Sequence, residues 1–290
     1  MNNSALFPQM PTDYASCPVL EALYERTDSC KVRSFAMSIT TQANTPNNLL
    51  ASLPPQDRAY LVSISRLAHP LQGQVLSSRS DTGNDVWFPH TGIVALTVID
   101  ADGRSVQTGL VGRDGCVGLE ALFDRVPTLP DAIVQIDGPM SVIPAAQLRS
   151  AVRDRPSIQV PMSRFLYGLA AQSLQTIACN RLHGLLARCC RWLLTMRDEA
   201  GSDDLPLTQE ALATLLGGGR PRINGLLATL ETNGWVQRRR GWIHVLAKSE
   251  LEAHSCDCYR IVRHTCASLR LGAARNPTVT TVTDARFATK

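Results

Sequence analysis

The apolar positions of this chain change their period along its length. Between Val86 and Pro144 they come in short runs: "VWFPHTGIVALTVI" over Val86–Ile99, "SVQTGLV" over Ser105–Val111, "AIVQI" over Ala132–Ile136 and "MSVIP" over Met140–Pro144. Runs of this length, rich in Val and Ile and separated by glycines, predict strands. "DADG" at Asp100–Gly103 predicts a hairpin turn between two of them. Short strands joined this way predict a small β-barrel or jelly roll. Upstream, "LLASLPPQDRAYLVSIS" predicts a helix broken near Pro54 and Pro55. Gln147–Arg153 predicts a short helix after the last strand.

From about Ser157 to Ala200 the spacing becomes helical. Phe165, Leu166, Leu169, Ala170, Ser173, Leu174, Ile177 and Cys179 form a broad apolar stripe, which "RLHGLLARCCRWLLTM" (Arg181–Met196) continues. A long helix followed by a shorter one would expose too much apolar surface by itself. Pairing with a second copy through Leu166, Leu169, Ser173 and Ile177 is expected, against the plainer alternative that the helix packs on the barrel.

Past the Gly201–Asp204 linker the helices shorten. "LTQEALATLL" places Leu212, Leu215 and Leu216 at helical spacing, and Thr208 is suited to cap its start. Ile223, Leu226, Leu227 and Leu230 then repeat at i, i+3, i+4 and i+7. Between the two lies "GGGRPR". It lacks the Lys and hydroxyl of a Walker loop, and the residues before it do not read as the strand of a dinucleotide fingerprint. Gly217 ends one helix, Gly219 starts the next, and Pro221 sits in a first turn where its missing N–H costs nothing. With small Ala213 at the crossing, this is a helix-turn-helix pattern. "VQRRRGWIHVL" adds a basic hairpin from Val236, which makes the domain winged. A further helix is expected after Lys248.

Composition sharpens this division. Residues 1–150 carry 10 Lys and Arg against 14 Asp and Glu, and residues 151–290 carry 19 against 11. An acidic front half and a basic back half suit a sensory unit joined to a nucleic-acid-binding unit. The 9 cysteines are odd in number and irregularly spaced, which points to a reducing cytoplasm. No secretory signal or membrane-length apolar run is read from the sequence. Met37 is a second candidate for the natural start. The expected organisation is a poorly ordered extension over 1–45, an effector barrel over 46–156, a dimerisation helix over 157–200, a winged helix-turn-helix over 201–270 and a disordered tail over 271–290. The fold class is α+β.

Over about residues 47–260 this order resembles the Crp/Fnr family of bacterial transcription regulators. The resemblance is carried by "VWFPHTGIVALTVIDADGRSVQTGLVGRDGCVGL" (Val86–Leu119), "ACNRLHGLLARCCRWLL" (Ala178–Leu194), "LPLTQEALATLLGGGRP" (Leu205–Pro221), "RRGWIHVL" and "CDCY" (Cys256–Tyr259). It implies a cyclic-nucleotide-binding-like barrel, a long dimer helix and a DNA-binding winged helix. The partners it implies are double-stranded promoter DNA, a second copy of the chain and RNA polymerase. Arg220 is then the main expected base reader, with Arg222 and Asn224 beside it, because an arginine can place two donors on guanine O6 and N7. Thr208, Gln209, Arg239 and Arg240 are expected on phosphates. The competing reading makes the basic domain an RNA or protein interaction module.

The effector is where this chain departs from the family. Cyclic-nucleotide binders of the family place a glutamate on the ribose and an arginine with a serine or threonine on the cyclic phosphate. The corresponding positions here are Gly118, then Leu119 for the glutamate, and Asp131 and Ala132 for the arginine pair. A carboxylate would repel a phosphate there, so binding of cAMP in the usual way is not expected. The cofactor is unknown. Cys17 and Cys30 are poorly spaced to hold an iron–sulfur cluster with Cys116. His183 reads as a packed or capping histidine rather than a haem ligand. No metal site is assigned: zinc at Cys256 and Cys258, helped by His264 and Cys266, lacks the spacing of an ordinary finger, and two helix cysteines with one buried is the preferred reading. No motif of an enzyme is present: Asp100 and Asp102 are explained by turn chemistry.

Overall fold

A computed structural model describes residues 47–78, 84–99, 101, 105–123 and 130–271. The extension over 1–45, Met37, most of the Asp100–Gly103 turn and the tail past residue 271 lie outside the described residues. Helix α1 (Asn48–Ala51) and helix α2 (Pro55–Ser63) are separated at Pro54, as their prolines dictate. Asn47 fixes this entrance. It is fully buried, its Oδ1 accepts the Leu50 N–H at 3.0 Å, and its Nδ2 donates to the carbonyls of Pro89 at 2.9 Å and Gly115 at 2.8 Å.

The barrel is built from β1 (Arg66–Ala68), β2 (Val75–Ser77), β3 (Asp85–Pro89), β4 (Ile93–Ile99), β5 (Ser105–Val111), β6 (Asp131–Ile136) and β7 (Met140–Pro144). Two antiparallel sheets result, with strand orders β1-β7-β3 and β2-β6-β4-β5. The apolar run from Val86 to Ile99 is therefore two strands in two sheets, split at His90–Gly92. Strands β1 and β2 escape the sequence pattern because half of their residues are exposed, and a three-residue strand shows no alternation. Between the sheets lies a core that includes Val94, Leu96, Val111, Val134 and Met140.

Helix α3 (Ala145–Asp154) leads into α4 (Pro156–Leu182), which breaks at His183–Gly184 before α5 (Leu185–Ala200). Gly201 ends α5, and β8 (Asp204–Leu205) opens the winged domain. There α6 (Gln209–Leu216) and α7 (Arg220–Thr232) precede β9 (Val236–Arg239) and β10 (Trp242–Val245), in a sheet ordered β8-β10-β9. The expected helix past Lys248 is two, α8 (Lys248–His254) and α9 (Cys258–Leu271), and α9 folds back along α4. The winged domain and the barrel share one core: Ile93, Ala95, Leu110 and Ile136 of the barrel lie in the same buried cluster as Trp192, Leu212 and Leu227. Among the described residues no helix is long and apolar enough to cross a membrane.

Candidate nucleic-acid interface

The turn between α6 and α7 follows from its residues. The Thr208 hydroxyl accepts the Ala211 N–H at 3.1 Å and caps α6. Gly217 takes φ 61°, a left-handed value that a side chain resists, and the Gly218 N–H returns to the Ala213 carbonyl at 3.1 Å. Arg188 of α5 donates to the Leu216 carbonyl at 2.6 Å, placing a cation at the negative end of α6. Helix α7 then buries Ile223, Leu227 and Leu230 completely. Its other face presents Arg220, Pro221, Arg222, Asn224, Gly225 and Thr229 to solvent. A side chain at Gly225 would meet nothing within 4 Å, so the middle of that face is open. Thr208 and Gln209 are exposed at the N-terminal end of α6.

The wing divides the arginine triplet. Arg238 is turned inward: its Nε donates to Glu231 Oε2 at 2.7 Å and its backbone N–H to Oε1 at 2.9 Å. That backbone N–H, together with the guanidinium, holds the Glu231 carboxyl below its ordinary pKa. The pair ties the wing to α7. Arg239 and Arg240 remain exposed at the hairpin, where Gly241 makes the turn. A solvated turn therefore describes two of the three arginines.

The four effector positions are placed as follows. Gly118 adopts φ 91°, and a side chain there would press on the Asp85 carbonyl oxygen. Leu119 is buried in the core around Leu148 and Phe88, while Ala132 is buried in the separate core between the sheets. Asp131 opens β6, paired with Thr97. Leu119 is thus a packing residue. A cavity of about 110 Å³ lies elsewhere, between β5, α4 and α9, lined by residues including Leu110, Phe165, Gly168, Gln172 and Cys266.

On α4 the predicted pairing stripe needs correction. Leu166 and Leu169 pack against the barrel cores and Ser173 is half-buried. Of the four, only Ile177 is on the open face, which runs through Val160, Tyr167, Leu174 and Ile177 with exposures of 52, 65, 69 and 63 %. The open stripe is rotated by about a quarter turn from the predicted one, at 100° per residue. The sequence pattern merged two apolar faces, one for the barrel and one left unpartnered.

One cluster was missed. Cys179 and His183, at the end of α4, meet Cys256 and Cys258, at the break between α8 and α9, with all four ligand atoms within 4.8 Å of one another. Cys179 Sγ lies 3.5 Å from Cys256 Sγ, and Cys258 Sγ 3.4 Å from His183 Nδ1. Cys179 holds its proton weakly, its pKa drawn down to about 4 chiefly by the Cys256 hydrogen bond, with help from His183 and Arg191 against desolvation. His183 does stand at the C-cap of α4, as its position suggests, but its ring faces the cysteines. His264 is exposed and Cys266 points toward Gly168, so neither belongs to the group. No local spacing could reveal it, because the two halves are 77 residues apart.

The comparisons with known proteins agree with this architecture. Residues 70–155 match the cyclic nucleotide-binding domain and residues 187–254 the Crp-like helix-turn-helix domain, together just over half of the chain. A CRP-like cAMP-activated global transcriptional regulator of Mycobacterium tuberculosis is 23% identical over 173 residues, 57% of this chain and 77% of its own length. Among solved structures, a Crp/Fnr transcriptional regulator from Eubacterium rectale is similar with a TM-score of 0.56 at 18% identity, covering 71% of this chain and 96% of that one. The c-di-GMP responsive global regulator CLP of Xanthomonas campestris also has a TM-score of 0.56, at 16% identity, covering 66% of this chain and 99% of that one. With an effector-type barrel and a Crp-like helix-turn-helix on one chain, the protein belongs to the Crp/Fnr family and is a DNA-binding transcription regulator.

Proposed function

We propose that the protein works in the cytoplasm as a homodimer that reads a near-palindromic promoter site through Arg220. The observation that carries this reading is the pairing of an open, apolar face on α4 with an exposed, arginine-headed face on α7. Joining two copies along α4 sets two recognition helices about 34 Å apart, one turn of DNA. Arg220, in the first turn of α7, takes base edges. Arg222 and Asn224 flank it, and Thr208, Gln209, Arg239 and Arg240 hold phosphates. RNA polymerase is the natural further partner of a regulator on a promoter. On this reading the barrel does not take cAMP through the family's contacts, because the buried Leu119 and Asp131 occupy the positions that the resemblance assigns to the ribose and phosphate ligands. Relatives with this fold are described as cAMP-activated in one case and c-di-GMP responsive in another, so the effector varies within it.

The test is a salt titration of affinity for the selected operator and for random DNA. Arg220→Ala should cost about 1–3 kcal/mol on the operator and little on random DNA. Arg240→Ala should weaken both alike and flatten the salt dependence. Equal losses on both DNAs for Arg220→Ala would make it a phosphate clamp and sink the assignment.

A further inference from the structure

The group at the junction of α4, α5 and the α8–α9 break has the composition of a closed metal site. Three thiols and one imidazole are a Cys₃His set, which structural zinc takes in tetrahedral form. With Zn–S near 2.3 Å and Zn–N near 2.0–2.1 Å, a tetrahedron has edges of roughly 3.8 Å between sulfurs and roughly 3.6 Å between sulfur and nitrogen. The observed 3.5 Å between Cys179 and Cys256 and 3.4 Å between Cys258 and His183 match that scale. The remaining pairs lie within 4.8 Å. The sets of four donors thus converge without a main-chain rearrangement.

The surroundings complete the case. Three thiolates and a neutral imidazole on a divalent ion leave one net negative charge, which a buried site must balance. Arg191 supplies the positive charge. It is 1 % exposed and is anchored to the Thr176 hydroxyl at 2.7 Å, in turn bonded to the Gln172 carbonyl. Among the described residues its Nη1 has no hydrogen-bond partner. Gln175 donates to Cys258 Sγ at 3.1 Å, the kind of outer hydrogen bond that orients a thiolate ligand. The Tyr259 hydroxyl, next to the last cysteine, donates to Asp198 Oδ2 of α5 at 2.7 Å and pins the turn that carries it.

We propose that Cys179, His183 (through Nδ1), Cys256 and Cys258 bind one Zn²⁺ ion, which fastens the far end of the winged domain to the foot of the long helix. On binding, those thiols that still carry a proton release it to solvent, leaving three thiolates on the ion, and no electron is transferred. Redox-silent zinc suits this set, because thiolate-rich tetrahedral sites select it over harder cations. The ligands bracket the DNA-binding domain, two just before α5 and two just after α8. The ion would therefore close a loop around that domain and fix the hinge at His183–Gly184, where α4 gives way to α5.

The experiment is metal analysis of the full chain, purified under reducing conditions from cells grown with zinc, beside Co²⁺ substitution of the apoprotein. About one zinc per chain is expected. Cobalt should give intense thiolate charge-transfer absorption and the visible bands of a tetrahedral ion. Cys256→Ser and His183→Asn should each lower zinc retention against a competing chelator by at least tenfold, and Cys266→Ser should leave it unchanged. Chelator should lower the melting temperature of the wild type and not that of Cys256→Ser. If the ligand variants fail to fold, the wild-type stoichiometry and cobalt spectrum still decide. Zinc-free wild type that yields no tetrahedral cobalt spectrum would overturn the proposal, as would equal zinc loss in Cys266→Ser. Loss of the two thiol hydrogens in the intact mass, with no metal bound, would assign the pair Cys179–Cys256 to a disulfide instead. None of these readouts involves DNA, so they stand whatever the outcome at the operator.

Discussion

Truncating Leu174 to alanine separates the open face of α4 from the face that packs on the barrel. Leu174 is 69 % exposed in the single subunit, so about two-thirds of its side chain is available for burial by a partner. Removing three carbon groups at about 0.8 kcal/mol each, scaled by that fraction, costs about 1.6 kcal/mol per copy. The proposed two-fold interface would lose the group twice, which gives about 3 kcal/mol and raises the dimer dissociation constant roughly 100-fold. Leu166→Ala is the control, because Leu166 packs against the core around Phe88 and Leu148. It should lower the stability of the chain by about 1–3 kcal/mol and leave dimer dissociation within about threefold. Sedimentation equilibrium over a dilution series, beside urea melts, measures both quantities. A Leu174→Ala dimer as tight as wild type would refute the argument, and so would a dimer broken by Leu166→Ala alone.

Other expectations concern single positions. Asn47→Ala removes the cap of α1 and leaves the Pro89 and Gly115 carbonyls without their donor, a loss of about 3 kcal/mol that urea unfolding should register. Asp57 is held below the usual carboxylate pKa by the Ser157 hydroxyl first and by Arg155 second. Its contribution to stability is complete above the unfolded value of about 3.9 and disappears as pH falls through the lower folded value. The melting temperature of Asp57→Asn should therefore differ from wild type at neutral pH by a constant gap that closes only in acid; a gap unchanged down to pH near 2 would contradict this. Calorimetric titration with cAMP should give no saturable heat in the micromolar range, and Leu119→Glu alone should not restore it, since Asp131 still stands at the position where the resemblance expects the phosphate-pairing arginine.

How much of this could be read from sequence depends on the distance over which each feature is encoded. The α6–turn–α7 unit was legible to single residues, because the Thr208 cap, the Gly217 turn and the Ile223–Leu230 repeat are local. Strands β3 to β7 were legible as apolar runs, although the break at His90–Gly92 was hidden by unbroken hydrophobicity on both sides. The orientation of α4 was not, because a helix with two apolar faces, one packed on the barrel and one open, has no single moment direction to read. The inward turn of Arg238 depends on Glu231 seven residues earlier, across an element boundary. The Cys₃His group depends on a fold-back that brings α9 to α4, which no short window contains.

The core that joins barrel and winged domain has a consequence for dissection of the molecule. Ile93, Ala95, Leu110 and Ile136 share a buried cluster with side chains of α5, α6 and α7, and β4 and β5 pack directly on α5 and α6. A fragment cut at residue 200 would uncover apolar surface around Leu110 on one piece and Leu212 and Leu216 on the other, adding two sticky surfaces to the open face of α4. The two halves should therefore unfold in one cooperative transition in the intact protein. The separated DNA-binding half should be a poor stand-in for the whole in any binding study. Through the same seam, a change in barrel packing at Leu110 is felt directly at α6, the first helix of the helix-turn-helix.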